Sequence, residues 1–139
     1  MRTLAVLLLT ATPALAEGDL FIYTWGEYTP PDLVAKFESE FGVKVHIDSY
    51  DSMETMIAKL RSGGAGYDII VPGDATMQVL IAEGMVEKID VFAMPNFTHV
   101  DDKWRAVYWD PKREYSAPWA WGSTAFAVDT ASVKGDTAS

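Results

Sequence analysis

The chain has 139 residues, room for one domain with a modest core, and sets 11 lysines and arginines against 20 aspartates and glutamates, a net charge of −9. That balance argues against nucleic-acid binding and against a polybasic membrane tether. Cysteine is absent, which excludes disulfides and thiolate metal sites.

Met1-Arg2, the apolar run Leu4 to Leu9 and the small-x-small triplet Ala14-Leu15-Ala16 read as a cleavable secretory signal peptide over residues 1–16. The apolar run is too short to cross a bilayer. The mature chain then starts at Glu17, loses Arg2 and becomes more acidic still. No cysteine precedes Glu17, which argues against a lipoprotein anchor, and no later stretch is expected to span a membrane.

Asp19 to Tyr23 reads as a first strand, apolar on both faces, that breaks at Thr24-Trp25-Gly26-Glu27-Tyr28. Pro30-Pro31 suits the first turn of a helix, where the proline gives up a donor that has no partner anyway. Leu33, Val34, Phe37 and Phe41 follow at helical spacing, and Gly42 closes the helix. Val43, Val45 and Ile47 alternate with Lys44, His46 and Asp48, the pattern of a strand with one polar face near a sheet edge. Asp51 and Glu54 have capping-box spacing ahead of a helix with the stripe Met53, Met56, Ile57 and Leu60, ended by Gly63-Gly64. A third strand is expected over Tyr67 to Val71, followed by Pro72-Gly73, with Asp74 placed to cap a helix burying Met77, Leu80 and Ile81. Gly84 ends that helix. Three strand-helix pairs in succession predict an α/β fold with an open, mostly parallel sheet and helices on both faces.

From Asp90 to Glu114 the periodicity fades into a turn-rich stretch containing Trp104, Tyr108 and Trp109. Ser123 to Val128 reads as a buried strand, and Thr130 to Ser139 as a small, polar tail.

Catalytic chemistry finds little support. Nucleophilic catalysis needs a nucleophile beside a positioned base, yet there is no GxSxG elbow, and His46 and His99 are the two imidazoles. Both read as ordinary strand-face or loop residues, without spacing suited to zinc. Gly63-Gly64-Ala65-Gly66 precedes a strand rather than following one, the wrong side for a phosphate loop. No cofactor or metal is expected.

The loops after the first and third strands are more informative, because ligands of open α/β sheets sit at the carboxyl ends of the strands. Trp25 and Tyr28 flank Gly26 and Glu27, and Asp74 follows Gly73 in the other loop. Aromatic faces beside carboxylates suit an organic cation. Trp119 and Trp121, two residues apart, are further aromatic candidates for the same crevice. The alternative reading has the rings roofing the core and Asp74 serving as a helix cap.

WGEYTPP (Trp25 to Pro31), ETMIAKLRSGGAGYDIIVPGD (Glu54 to Asp74), EGMVEKID (Glu83 to Asp90) and YSAPWAWGSTAFAVD (Tyr115 to Asp129), in that order, resemble the periplasmic spermidine/putrescine-binding proteins of ABC importers. The resemblance covers essentially all of the mature chain. It implies the first lobe, residues 17–129, of a two-lobe type II binding-protein fold, truncated, with 130–139 starting the remainder. It also implies that Trp25, Gly26, Glu27, Tyr28, Gly73 and Asp74 are ligand-binding positions. Gly73 and Ala75 stand where the family carries a serine and sometimes an aromatic, so two side-chain contacts are absent. The family's principal amine-binding carboxylates lie in the second lobe, which leaves half a cleft here. The implied function is periplasmic capture of a polyamine for delivery to permease subunits in the inner membrane. The alternatives are capture of another organic cation or solute, and a truncated fragment without function.

Overall fold

The computed structural model describes residues 18–63, 66–129 and 131–133. They fall into two compact units, one ending at Met85 and the other beginning at Val86. The expected leader and cleavage point, Gly64, Ala65, Thr130 and residues 134–139 lie outside the described residues.

The first unit alternates strands and helices: β1 (Gly18–Trp25), α1 (Pro31–Phe41), β2 (Val43–Tyr50), α2 (Met53–Arg61), β3 (Ile69–Ile70) and α3 (Asp74–Ala82). The sheet order is β2-β1-β3, with β1 parallel to both neighbours. β1 and β2 pair over their full length, from Gly18 opposite Val43 to Trp25 opposite Tyr50. The chain steps one way from β1 to β2 and the other way from β2 to β3. Right-handed crossovers therefore put α1 and α2 on opposite faces. The ammonium of Lys59 on α2 lies 4.7 Å from the Tyr23 ring centroid, which fixes α2 over the face that carries Phe21, Tyr23 and Trp25.

Most of the expected punctuation holds. Pro30 is the N-cap of α1, with its carbonyl accepting from Leu33 N at 3.1 Å and Val34 N at 3.2 Å. Gly42 closes α1 in the left-handed conformation at φ 67°, and its amide reaches Glu38 O at 2.9 Å. β2 does lie at the sheet edge.

Several details differ. β1 runs on through Thr24 and Trp25, because both continue the ladder with Ser49 and Tyr50. Ser52, not Asp51, caps α2: its hydroxyl accepts from Thr55 N at 3.2 Å, and its backbone is the extended residue that a cap requires. Gly73 is the N-cap of α3, so Asp74 is the first helical residue and does not cap. Regular β3 shrinks to two residues because Asp68 bonds β1 partly through its side chain, with Oδ2 accepting from Phe21 N at 2.8 Å. The apolar stripe of α1 is not buried. α1 runs beside the edge strand, where Glu38 accepts from Val45 N at 2.8 Å, and Phe37 and Phe41 meet at a tilt, centroids 4.5 Å apart, with both rings left partly exposed. The core of this unit is Tyr23, Tyr50, Met56, Met77 and Leu80.

Among its described residues the second unit contains three 3-10 turns, Val91–Ala93, Pro95–His99 and Asp102–Trp104, and buries Val91 and Phe97. The expected buried strand over Ser123 to Val128 is absent: the segment has no regular structure, and Phe126 is fully exposed. A strand needs a paired edge and a covered face, and no ladder among the described residues includes this segment.

Candidate functional site

Every strand of the first unit points its carboxyl end to the same edge of the sheet, so the loops after β1, β2 and β3 form one rim. β1 delivers Trp25 there. The chain then turns back through Gly26 and Glu27, with Tyr28 N donating to Trp25 O at 3.4 Å. Glu27 takes φ 60°, a left-handed conformation that a residue with a Cβ seldom adopts. Gly26, beside it, is not left-handed, so the strain falls on the carboxylate residue. Such strain persists where the surroundings over-determine it, and it concentrates at functional sites.

The Trp25 ring lies 6.3 Å from Tyr28 and 4.7 Å from Tyr50, centroid to centroid. Tyr28 and the carboxylate of Glu27 are exposed, whereas Tyr50 is only 5% exposed. The result is an aromatic shelf with a buried back and an open front. Burial, helped by the neighbouring Tyr23 and Tyr28, pushes the Tyr50 hydroxyl up to about 12. That hydroxyl stays protonated and donates to Val71 O, at the start of the loop after β3.

That loop presents Gly73 and Asp74. Gly73 N points at Met53 Sδ, 3.5 Å away, and a Cβ built on Gly73 would meet nothing closer than the same sulfur at 4.0 Å. Asp74 is exposed in the first turn of α3, where a negative charge is favoured by the helix dipole. Thr24, the residue before Trp25, is 1% exposed, and its hydroxyl has no hydrogen-bond partner among the described residues.

The structure therefore brings Trp25, Gly26, Glu27, Tyr28, Gly73 and Asp74 to one edge of one sheet. Trp119 and Trp121 belong to the second unit. There Trp121 stacks on Trp104 at 5.7 Å, and the Lys103 ammonium sits 5.6 Å from the Trp104 ring and 5.5 Å from the Trp121 ring, so this pair already has a cation from its own chain. His46 is a strand-face residue, stacked on Phe21 and 2.6 Å from Asp19 Oδ1.

Two features escaped the sequence reading. Tyr50 looks like one more strand residue until the register sets it beside Trp25. In the second unit, Asp110 and Arg113 are both buried and order the chain from Trp104 to Ser116. Asp110 accepts from Glu114 N at 2.8 Å and Tyr115 N at 3.1 Å, while Arg113 donates to Trp104 O and Ser116 Oγ. The Asp110-Pro111 dipeptide, a turn signal, was the available clue. Among the described residues no group of three or more His, Cys, Asp or Glu side chains is arranged to hold a metal ion, and no helix is long and apolar enough to cross a membrane.

A family model described as bacterial extracellular solute-binding protein matches residues 32–138. The chain is 37% identical over 126 residues to a spermidine/putrescine-binding periplasmic protein of Salmonella typhimurium, an alignment covering 90% of this chain and 36% of that protein. It is 36% identical over 117 residues to the putrescine-binding periplasmic protein SpuD of Pseudomonas aeruginosa, covering 83% of this chain and 32% of the relative. Among solved structures, the TpPotD lipoprotein of Treponema pallidum superposes with a TM-score of 0.68 at 39% identity, over 73% of this chain and 32% of the other. The chain spans about a third of the length of the curated relatives it matches.

Proposed function

The chain belongs to the bacterial extracellular solute-binding protein family, and from that premise we propose that it captures a polyamine of the spermidine or putrescine type in the periplasm for delivery to the permease of an ABC importer. The observation that carries the reading is the rim itself: Trp25 and Tyr28 on a shelf backed by Tyr50, with Glu27 and Asp74 in the loops at the same sheet edge. An alkyl-ammonium chain lies along aromatic faces through apolar contact. Its cationic ends gain from the ring quadrupoles, by about 0.5–2 kcal/mol per well-placed contact. The carboxylates pair with the ammonium groups through charge-assisted hydrogen bonds. Nothing in this role needs a nucleophile, a base or a metal.

The names of the relatives support the ligand class without ranking its members, since a spermidine/putrescine binder and a putrescine binder match at 37% and 36% identity. The leader over residues 1–16, cleaved before Glu17, directs export. Residues 17–129 form the first lobe of a two-lobe binder, and the rim is one wall of its cleft. One wall holds a ligand less tightly than two, because closure buries the ligand from both sides. Bare Gly73 and Ala75 favour a second reading, an organic cation bulkier near this loop than a polyamine.

Isothermal calorimetry on the chain from Glu17 onward tests the proposal. Spermidine or putrescine should give saturable heat, and a neutral sugar none. Trp25→Ala should weaken that binding more than His46→Ala. Equal losses in the two variants, or no heat from any amine, would overturn the reading.

A further inference from the structure

Tyr50 is placed to do more than fill the core. It ends the edge strand β2, yet its hydroxyl bonds to Val71 O beyond β3, so the side chain reaches over the central strand β1 to the loop on the far side. On the way its ring meets Trp25 at 4.7 Å and Tyr23, edge-on, at 5.0 Å. Val71 is held from its other side by its own amide, which donates to Tyr23 O at 3.0 Å. One buried side chain thus touches the shelf that carries Trp25 and anchors the loop that presents Gly73 and Asp74. Among the described residues alternative anchors are few: α3 has no side-chain cap, and the amide of Gly73 meets only the weak acceptor Met53 Sδ.

We propose that Tyr50 is a positioning residue that holds the Val71–Asp74 loop in register with the Trp25–Tyr28 shelf, so that Asp74 and the aromatic rings engage one cation together. This rests on the polyamine reading above. The ring supplies the packing and the hydroxyl supplies the tie. Tyr50→Phe keeps the first and removes the second, whereas a purely structural tyrosine would give up stability alone.

The experiment is a double-mutant cycle with spermidine, using Tyr50→Phe and Asp74→Asn in the chain from Glu17 onward. Amide exchange at Val71, whose N–H is bonded to Tyr23 O, is measured in parallel without ligand, and far-UV circular dichroism confirms that each variant is folded. With Tyr50 in place, Asp74→Asn should weaken binding about two- to fivefold, the range of an exposed charge pair. In the Tyr50→Phe background the same change should cost almost nothing, since the loop no longer holds the carboxylate in place, and exchange at Val71 should quicken. An equal effect of Asp74→Asn in both backgrounds, or unchanged exchange in Tyr50→Phe, overturns the proposal. If the parent chain binds no amine, or if Asp74→Asn is silent in it, the functional reading is what fails. The exchange rates then judge Tyr50 alone: faster exchange upholds the tie, and unchanged exchange removes it.

Discussion

Replacing Glu27 by glycine should make the protein more stable and a poorer binder at once. Glu27 sits at φ 60° in the turn closed by Tyr28 N on Trp25 O. A residue with a Cβ in that region is strained by about 1–2 kcal/mol. Glycine relieves the strain but adds freedom to the unfolded chain, which returns roughly 0.4–1 kcal/mol. The net gain is about 0.5–1 kcal/mol, a rise of a few degrees in Tm for a domain of this size. Glu27→Gln is the companion variant, because it keeps the strain and removes only the charge. Both should lose affinity for spermidine by about two- to fivefold, as expected for an exposed ammonium–carboxylate pair. Thermal unfolding followed by circular dichroism, with calorimetry on the same samples, separates the two effects. Glycine should move both readouts, and glutamine should move binding alone. A Glu27→Gly protein that is less stable than the parent would refute the strain argument, and unchanged affinity in both variants would refute the role of the carboxylate.

Thr24→Val should raise stability by about 1 kcal/mol, because it replaces a buried hydroxyl that lacks a partner by a methyl of the same shape; the urea midpoint reads this directly. Gly73→Ser should add a side-chain cap to α3 in a backbone already extended at φ −75°, ψ 161°, with space for the new atoms. The gain is a few tenths to about 1 kcal/mol, accompanied by tighter spermidine binding. Asp48 accepts from the Tyr67 hydroxyl and from Lys59 at 3.0 Å, and these contacts, the hydroxyl foremost, hold its carboxyl below the ordinary value of 3.8. A lowered folded-state pKa gives stability that is present above the unfolded value and lost as the pH falls through the folded one. Asp48→Asn should therefore be less stable than the parent at pH 7 and nearly equal to it near pH 2. An equal deficit at both pH values in denaturant titrations would show that the contribution is not electrostatic.

Helices marked by backbone chemistry were the most legible part of the chain. α1 is bracketed by Pro30-Pro31 and Gly42, residues whose allowed φ values leave few alternatives, and both of its ends fall where expected. The caps of α2 and α3 each moved by one residue. Asp51 and Ser52 are both plausible caps in sequence, and the choice rests on which backbone is extended, a property of the turn rather than of the side chain. The parallel sheet followed from the order of strands and helices, but its register did not, and register is what places Tyr50 beside Trp25. Ser123 to Val128 was misread for a related reason. An apolar run reports affinity for a core, while burial also needs a neighbouring strand. The rim residues Glu27 and Asp74 could be placed from their positions after strands, and Trp25 proved to be the last residue of its strand; the left-handed backbone of Glu27 and the bare cap at Gly73 could not be foreseen.

The order of the sheet also bears on when it can form. β1 emerges first yet lies in the middle, with Gly18 paired to Val43 on one side and Ile22 to Ile69 on the other. No ladder can begin until α1 and β2 have been made, and the second edge waits for β3. Parallel pairing across such separations is slow, because loops must close before any contact rewards them. The nascent chain consequently stays unfolded for longer than a hairpin-built domain of equal size. Circular permutation that moved β1 behind β3 would not shorten that delay, since the strands would still be parallel and none could pair through a hairpin.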